Sequence, residues 1–256
     1  MELFFFKYHG AGNDFILIDN RTQNIHLSEQ QIAQLCHRRF GIGADGLMFL
    51  ESDKSSDFKM KYYNSDGKEG SMCGNGGRCI VAFAHEIGIR KEHYHFMASD
   101  GLHEAVLDKT EVNLKMIDVT DIQKLDSDWF LNTGSPHAIE IVDNINSINV
   151  EKQGEKLRHD PRFGEKGTNV NFIEVHQNHL KIRTYERGVE AETLACGTGA
   201  VASAIIANQL YPQYKKFNLK ALGGNLEVSF EKTDSAYSNI WLKGPAVKVF
   251  EGRINI

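Results

Sequence analysis

The stretch Met72-Cys73-Gly74-Asn75-Gly76-Gly77-Arg78 decides the fold, together with a second copy, Ala195-Cys196-Gly197-Thr198-Gly199-Ala200. Each copy contains the pattern C-G-x-G and runs into an apolar segment that predicts a helix. A cysteine at a helix start is exposed to the positive end of the helix dipole, which favours the thiolate. The glycines let backbone N–H groups approach an anion closely. We therefore expect each copy to place a reactive thiol beside an anion-binding helix start.

The two copies belong to a longer internal repeat. Shifting the sequence on itself by 123 positions aligns the two cysteine motifs without a gap. The same shift aligns identical residues in three further stretches: Arg39-Phe40-Gly41 with Arg162-Phe163-Gly164, Phe49 and Glu51 with Phe172 and Glu174, and Ala98, Gly101 and Glu104 with Ala221, Gly224 and Glu227. A period of this length is too long for a solenoid. It indicates two tandem halves of one ancestral domain, with the two cysteines at equivalent positions in facing halves.

The repeat predicts two domains, and a chain of 256 residues is long enough for both. Residues 118–127 are polar and aperiodic, and we expect the chain to cross between the domains there. The tail, residues 247–256, lies beyond the second repeat and is expected to pair with the first half. The predicted domains are therefore 1–118 plus 246–256, carrying Cys73, and 119–245, carrying Cys196.

The composition is that of an ordinary globular protein and argues against several partners. A net charge of −5 gives no basic footprint for nucleic acid. No apolar run reaches the ~18 residues of a membrane span, and the first residues lack the basic and cleavage regions of a signal peptide. The four cysteines are too few for a disulfide scaffold and lack the C-x-x-C spacing of a structural zinc site. We expect a cytoplasmic protein with free thiols, no metal site, and neither a nucleic-acid nor a membrane partner.

The clearest predicted helix covers residues 28–40. Ser28 and Gln31 form a capping box, and Gly41 is expected to end the helix. Four side chains share the apolar face: Ile32, Leu35, Cys36 and Phe40. Cys36 is therefore interpreted as a core residue, and so is Cys79, which lies about 240° around its helix from Cys73.

Inverting a stereocentre by proton transfer requires a base on one face of a carbon and an acid on the other. A duplicated domain supplies identical groups on opposite faces, and thiols with pKa values near neutrality suit general acid–base work. Two coupled thiols share one proton, so their pKa values belong to the pair. No cofactor is needed. The residues alone leave open a second interpretation, in which both cysteines only pack at helix starts.

Four blocks of sequence resemble the diaminopimelate epimerase family along essentially the whole chain. They are residues 9–15 (HGAGNDF), 64–67 (NSDG), 72–79 (MCGNGGRC) and 186–199 (ERGVEAETLACGTG). The resemblance implies an epimerase, independent of pyridoxal phosphate, that interconverts LL- and meso-diaminopimelate for lysine and peptidoglycan precursors. It also implies a homodimer and an α/β fold (α+β) of two pseudo-symmetric domains, each a barrel-like, mostly antiparallel sheet around a central helix.

The resemblance assigns roles to individual residues. It implies that Cys73 and Cys196 are the acid/base pair and that His137 and Glu186 tune the thiols. Backbone groups of two helix starts would hold the reacting carboxylate: Gly74, Asn75, Gly197 and Thr198. Other substrate-binding residues would be Asn13, Asn64, Asn169, Glu186 and Arg187, of which Arg187 would pair with the distal carboxylate as a fork-like donor.

This chain departs from the family pattern at two positions. Many members have Gln where this chain has Gly46, and Asn where it has Ser135. Gly46 offers no side chain, and Ser135 keeps a hydroxyl that reaches less far. Backbone groups or water could replace the missing contacts at both positions.

Alternatives from the same and from other classes stay open. A related two-thiol racemase acting on proline or hydroxyproline would use the same chemistry, although Arg187 and the several asparagines favour a substrate with a second polar end. A non-catalytic amino-acid-binding protein, or a thiol-redox protein with a Cys73–Cys196 couple, could retain the same scaffold. Uptake of solvent deuterium at the substrate α-carbon separates the enzymes from both non-catalytic alternatives.

Overall fold

The structure is a computed structural model that describes residues 1–234 and 236–256. The chain divides into two units: residues 1–114 with 244–256 (unit 1), and residues 115–243 (unit 2). The chain passes from unit 1 to unit 2 after residue 114 and returns after residue 243. Both boundaries lie a few residues before the predicted ones at 118/119 and 245/246. Residues 118–127 lie within unit 2 and include a short strand, so the crossing itself precedes the polar segment.

Unit 1 is built on one mostly antiparallel sheet. Its strands are β1 (Glu2–Gly10), β2 (Asn13–Asp19), β3 (Gly46–Glu51), β4 (Phe58–Asn64), β5 (His93–Ala98), β6 (Gly101–Asp108), β7 (Glu111–Lys115) and the C-terminal β17 (Val247–Asn255). Strand β17 pairs with β1, which pairs with β2, and the remaining strands follow in chain order. The β2–β3 and β4–β5 pairs are parallel. The predicted return of the tail to the first half is confirmed by the β1–β17 pair.

The centre of unit 1 is helix α2 (Gly74–Glu86), which begins directly after Cys73. The sheet wraps around this helix, which contacts β1, β2, β3, β6 and β17. The smaller α1 (Glu29–Cys36) packs on the other side of the sheet, where Ile32, Leu35 and Cys36 join a cluster with Phe49. Cys36 and Cys79 are both buried, as predicted.

Unit 2 repeats this plan. Its strands are β8 (Ile122–Leu125), β9 (Asp128–Asn132), β10 (Pro136–Ile141), β11 (Asn169–His176), β12 (His179–Glu186), β13 (Ala191–Thr193), β14 (Lys216–Ala221), β15 (Gly224–Lys232) and most of β16 (Tyr237–Pro245). Helix α3 (Val150–Arg158) packs on β11 and β12. The central helix, α4 (Gly197–Leu210), is apolar nearly all round, as a helix surrounded by sheet must be.

The predicted duplication is confirmed by the elements themselves. Adding 123 to the bounds of β5 gives those of β14, and the same shift places the first residue of α2 on that of α4. The parallel pairs recur as well, because β10–β11 corresponds to β2–β3 and β12–β14 corresponds to β4–β5. The fold class, with one central helix and a mostly antiparallel sheet in each half, is therefore as predicted.

The end of α1 is not where the sequence predicts it. The capping box at Ser28 is present, but the helix stops at Cys36 rather than at residue 40. The N–H groups of Ile42 and Gly43 donate to the Leu35 carbonyl, and that of Ala44 donates to the Cys36 carbonyl. The loop thus satisfies the last carbonyls in place of a further turn. The predicted burial of Phe40 is wrong for the same reason, since its side chain is 77% exposed.

Among residues 1–234 and 236–256, no helix combines the length and the apolar composition needed to cross a membrane.

Candidate active site

Cys73 is the residue that caps α2. Its backbone is extended, with φ −114° and ψ 148°, and the Gly76 N–H donates to its Sγ at 3.2 Å. Sulfur thus takes the place that a serine or aspartate oxygen holds at many helix starts. Gly74 and Asn75 follow directly and are buried, so the first N–H groups of the helix lie beside the sulfur. Cys73 is a free thiol.

A chain of hydrogen bonds orients two of the predicted substrate-binding amides in unit 1. The Arg78 guanidinium donates to Asn75 Oδ1 at 2.8 Å, and Asn75 Nδ2 donates to Asn13 Oδ1 at 3.3 Å. Asn13 Nδ2 in turn donates to Asp45 Oδ2 at 2.6 Å. A cation at one end and a carboxylate at the other make only one orientation of both amides favourable. Arg78 is fully buried, and burial lowers its pKa.

Asp45 belongs to a cluster of charged residues at the Asn13 end of this series of hydrogen bonds. Arg38 bonds both carboxylates, reaching Asp14 at 2.7 Å and Asp45 at 2.6 Å, and Lys7 lies 2.6 Å from Asp14. Burial alone would raise the pKa of Asp14, but the hydrogen bonds from Arg38 and Lys7 outweigh it and hold that pKa at about 2. Asp14 therefore stays ionised at neutral pH.

Asn64 and Gly46 lie opposite each other on neighbouring strands. Asn64 is the last residue of β4, its side chain is exposed, and its register partner on β3 is Gly46. Residue 46 follows Asp45, so this position adjoins the charged group around Asn13. The structure thus brings five predicted site residues of unit 1 into one region with Cys73: Asn13, Gly46, Asn64, Gly74 and Asn75.

Cys196 caps α4, but its surroundings differ from those of Cys73. Its Sγ lies 3.4 Å from the Thr198 hydroxyl, and the residue is a partly buried free thiol. Burial and the neighbouring Glu186 carboxylate raise its pKa, although the Thr198 hydroxyl and the Gly199 N–H act in the opposite direction. The sequence-based expectation of a lowered pKa is therefore wrong for Cys196. The helix start cannot offset desolvation and a nearby negative charge.

His137 is joined to the Cys196 end of unit 2 by hydroxyl groups. Its Nε2 lies 2.9 Å from Thr198 Oγ1 and 3.0 Å from Ser135 Oγ, which are themselves 3.1 Å apart. His137 is fully buried, and burial together with the Arg187 charge lowers its pKa to about 3. The imidazole is therefore neutral at physiological pH, and Thr198 stands between it and the sulfur.

Asn169 links Ser135 to Arg187. Its Nδ2 donates to Ser135 Oγ at 3.2 Å and to the Pro136 carbonyl at 2.9 Å, while its Oδ1 accepts from the Arg187 N–H at 2.9 Å. Since the Pro136 carbonyl only accepts, this amide has one possible orientation. The Arg187 guanidinium donates to the Gly167 carbonyl at 3.3 Å.

Glu186, next in the chain to Arg187, accepts a hydrogen bond from the Thr193 hydroxyl at 2.7 Å. All predicted site residues of unit 2 therefore lie within one region around Cys196: Ser135, His137, Asn169, Glu186, Arg187, Gly197 and Thr198.

Several residues that shape these regions are missing from the sequence-based set. They are Asp45 and Arg78 in unit 1, and Asn171 and Thr184 in unit 2. Arg78 and Asn171 do carry a sequence signal, because each is a polar residue inside an apolar, periodic segment, where a buried polar group needs partners. Asp45 lies in a polar loop and offers no such signal.

The chain matches known proteins over nearly its full length. A family model described as "Diaminopimelate epimerase" matches residues 5–120 and 129–249. The chain belongs to the diaminopimelate epimerase family. A diaminopimelate epimerase from Flavobacterium psychrophilum is 49% identical, with 97% of this chain and 99% of the relative covered. One from Chlorobaculum tepidum is 45% identical, with 96% and 99% covered.

Solved structures with a similar fold share little sequence with this chain. A phenazine biosynthesis protein of the PhzF family from Bacillus anthracis covers the whole of both chains, with a TM-score of 0.78 at 15% identity. A hydroxyproline epimerase from Agrobacterium vitis covers 99% of this chain and 92% of its own, with a TM-score of 0.68 at 14% identity. At these identities the likeness is one of fold, and the diaminopimelate epimerase family remains the assignment that the sequence supports.

Proposed function

We propose that this member of the diaminopimelate epimerase family interconverts LL- and meso-diaminopimelate with Cys73 and Cys196 as its acid/base pair. The observation that carries the proposal is the recurrence of one free thiol as the first residue before each central helix, at equivalent positions of the two repeats. Proton abstraction by one thiolate and protonation by the other thiol on the opposite face inverts the α-carbon. The reaction is an isomerisation, so one proton enters and one leaves.

The helix starts support the binding of the reacting carboxylate. Gly74 and Asn75 in one unit, and Gly197 and Thr198 in the other, contribute N–H groups that no helical carbonyl satisfies. Such groups attract an anion and stabilise the negative charge that develops as the α-proton leaves. The pKa of an amino-acid α-carbon falls when its carboxylate is held in this way, which brings proton abstraction within reach of a thiolate.

The remaining polar residues fit a substrate with two amino-acid ends. Arg187 is the donor proposed for the distal carboxylate, and Asn13, Asn64 and Asn169 are proposed to orient the ammonium and carboxylate groups. Glu186 is proposed to bind the substrate. Because its charge raises the pKa of Cys196, it is also proposed to tune that thiol. His137 is proposed to tune the thiols through Thr198. Proline and hydroxyproline lack the second amino-acid end that this set would bind.

The raised pKa of Cys196 suggests how the pair divides its proton at rest. Burial and Glu186 favour the neutral thiol at this residue. We therefore propose that Cys196 is the protonated thiol in the free enzyme.

Incubation with LL-diaminopimelate in deuterated water tests the reaction. The wild-type chain should form the meso isomer and place deuterium at carbon two. Cys73→Ser and Cys196→Ser should each lower turnover by about 10³-fold, whereas Cys36→Ala and Cys79→Ala, which remove thiols from the core, should retain it. Near-normal turnover by either active-site variant would refute the paired-thiol mechanism. Deuterium uptake by free proline, with none by diaminopimelate, would refute the substrate.

We also propose a cytoplasmic homodimer. Four free cysteines suit a reducing compartment. Strand β17 exposes most of its length, including Val247, Val249 and Phe250, and a second copy of the chain is the occupant proposed for this strand. Light scattering after size-exclusion chromatography should give twice the mass of the 28.8 kDa chain. Val249→Glu should shift the mass toward the monomer, and a monomeric wild type would contradict the proposal.

A further inference from the structure

Arg78 is a fully buried cation in the second turn of α2. Its guanidinium donates to the Gly74 carbonyl at 3.2 Å, to Asn75 Oδ1 at 2.8 Å and to the Pro245 carbonyl at 3.4 Å. All three acceptors are neutral, and no carboxylate within residues 1–234 and 236–256 forms an ion pair with it. Because an arginine stays protonated even when it is buried, unit 1 contains a positive charge that no carboxylate balances.

The second repeat shows that the fold does not require this cation. The 123-residue shift that places the start of α2 on that of α4 also places Arg78 on Val201. Val201 is fully buried as well, so an apolar side chain packs at the same position of the other central helix. Burying a charge costs free energy that a valine does not cost. A requirement of packing alone therefore does not account for Arg78.

The neighbouring strand differs between the repeats in a way that accommodates the guanidinium. The same shift places Gly10 of β1 on Thr133. A Cβ on Gly10 would lie 3.4 Å from Nη2 of Arg78 and 2.9 Å from the Asn75 carbonyl oxygen. Unit 1 therefore has a glycine where the guanidinium needs room, whereas unit 2 combines a threonine with Val201.

Within the described part of the chain, two groups lie close enough for a negative charge to act on the Arg78 guanidinium, and both are thiols: Cys79 and Cys73. Burial raises the pKa of Cys79 far above its usual range, so that thiol stays protonated. Cys73 caps the same helix and is only partly buried. The anion that the buried cation can stabilise is therefore the thiolate of Cys73.

Other charged side chains at the two ends of α2 have partners of opposite charge. They are Lys7 and Arg38 with Asp14 and Asp45 near the start, and Lys248 with Glu86 near the end. The first of these clusters contains as many positive as negative charges. The charge of Arg78 is thus not cancelled by that cluster and acts on the helix start.

We propose that Arg78 is a positioning residue that stabilises the Cys73 thiolate through a permanent positive charge near the start of α2. The inference rests on the proposed function, because it explains how one thiol of the acid/base pair is prepared to act as the base. Unit 2 has Val201 at the equivalent position, and there the Glu186 carboxylate acts on Cys196 in favour of the neutral thiol. The charges in the two halves therefore bias their thiols in opposite directions.

The rate at which iodoacetamide alkylates Cys73, measured against pH by mass spectrometry, tests the proposal without any substrate. Arg78→Met removes the charge and keeps an unbranched side chain, so the midpoint of the rate–pH curve should rise by about one pH unit. Alkylation at pH 7 should then be about tenfold slower. Arg78→Lys keeps the charge, and its midpoint should stay within about 0.3 pH unit of the wild type.

A second charge-free variant keeps a packing that occurs in this fold. Gly10→Thr combined with Arg78→Val transfers the two residues of unit 2 into unit 1, and its midpoint should rise as in Arg78→Met. The matched control is Arg21→Met. It removes a guanidinium at the other end of α2, where Arg21 donates to the Ile87 carbonyl at 3.1 Å, and it should leave the midpoint as in the wild type.

The outcomes separate the charge from packing and from the proposed reaction. A wild-type midpoint in either charge-free variant would overturn the role of Arg78, and an equal rise in Arg78→Lys would do so by assigning the effect to packing. In the epimerase assay, the acidic limb of the kcat/KM profile against pH should move up by about one pH unit in Arg78→Met. A wild-type chain that does not epimerise diaminopimelate would instead overturn the proposed function, and the alkylation result would not depend on it.

Discussion

Asn171 determines which nitrogen of His137 carries the proton. The Asn171 Nδ2 lies 3.3 Å from the Ala138 carbonyl, which only accepts, and its Oδ1 accepts from the Thr184 hydroxyl at 2.9 Å. The same Nδ2 lies 2.9 Å from His137 Nδ1, which must therefore accept. The imidazole is neutral, so its single proton is on Nε2.

The tautomer has a consequence at the sulfur. Nε2–H is a donor toward the Thr198 and Ser135 hydroxyls and accepts from neither, so the Thr198 proton is available to Cys196 Sγ at 3.4 Å. If Nε2 were the acceptor, Thr198 would donate to the imidazole instead. Asn171 thus acts on Cys196 through three hydrogen bonds. It contacts none of the reacting atoms and is a positioning residue.

Asn171→Asp should reverse this arrangement. A carboxylate accepts only, so the ring proton moves to Nδ1 and Thr198 turns its donor toward Nε2. Turnover should fall about tenfold, and ¹⁵N NMR of His137 should report the Nδ1-protonated form. Thr184→Val removes the hydroxyl that donates to Asn171 Oδ1 but leaves the Asn171 Nδ2 donor in place. The tautomer of His137 should therefore be unchanged in this variant. Wild-type turnover in a variant with protonated Nδ1 would contradict the role of Thr198.

The buried neutral state of His137 predicts a loss of stability in mild acid. Its pKa is about 3 in the folded chain, against 6.5 when unfolded, because burial opposes the charge. Between these values the unfolded chain binds a proton that the folded chain does not, so stability falls as the pH drops below about 6.5. At pH 5 the loss should be about 2 kcal/mol relative to pH 7.

His137→Asn isolates this contribution. The difference in unfolding free energy between pH 7 and pH 5, measured with urea, should shrink by about 2 kcal/mol in the variant. The control is His26→Asn, which replaces an exposed histidine. Its unfolding free energy should differ between pH 7 and pH 5 by as much as that of the wild type. An equal pH dependence in the wild type and His137→Asn would show that another group is responsible.

Glu186 should slow the reaction of Cys196 with thiol reagents. Its carboxylate raises the pKa of Cys196, so Glu186→Gln should lower that pKa and increase the thiolate fraction at neutral pH. Alkylation by iodoacetamide at pH 7.5, followed at Cys196 by mass spectrometry of its peptide, should be several-fold faster, by about three- to tenfold. Glu190→Gln, a change four residues along that removes the partner of Arg158, should not alter the rate. A slower reaction in Glu186→Gln would mean that the carboxylate acts as a base for the thiol.

The repeat and the C-G-x-G motif suffice to predict both central helices, their capping cysteines and the equivalence of the two halves. These features depend on residues close together in the sequence. The His137 tautomer does not, because it depends on Asn171 and Thr184, which reach His137 only through the pairing of β10, β11 and β12. The pKa of Cys196 likewise depends on burial. Helix α3 is not among the predicted helices, although the 123-residue shift places α1 over it.

The end of α1 is another feature that the local sequence pattern does not determine, and a substitution can test what does. The loop after Cys36 folds back so closely that a Cβ on Gly41 would lie 2.0 Å from the Gln34 carbonyl oxygen and 2.6 Å from that of Leu35. Gly41→Ala must therefore push the loop away from the helix and weaken the bonds that Ile42 and Gly43 donate to Leu35. We expect a loss of about 3 kcal/mol in the urea unfolding free energy.

Gly88→Ala is the matched control for Gly41→Ala. Gly88 has φ +100°, a conformation that L-residues rarely adopt, but a Cβ there meets no atom within 4 Å. Gly88→Ala should lower the urea unfolding free energy by about 1 kcal/mol, from backbone strain alone. If the loop instead left the helix to continue through residue 40, as the sequence pattern suggests, Gly41→Ala would cost no more than Gly88→Ala. The larger loss at Gly41, where φ is ordinary, would show that backbone contact between loop and helix ends α1.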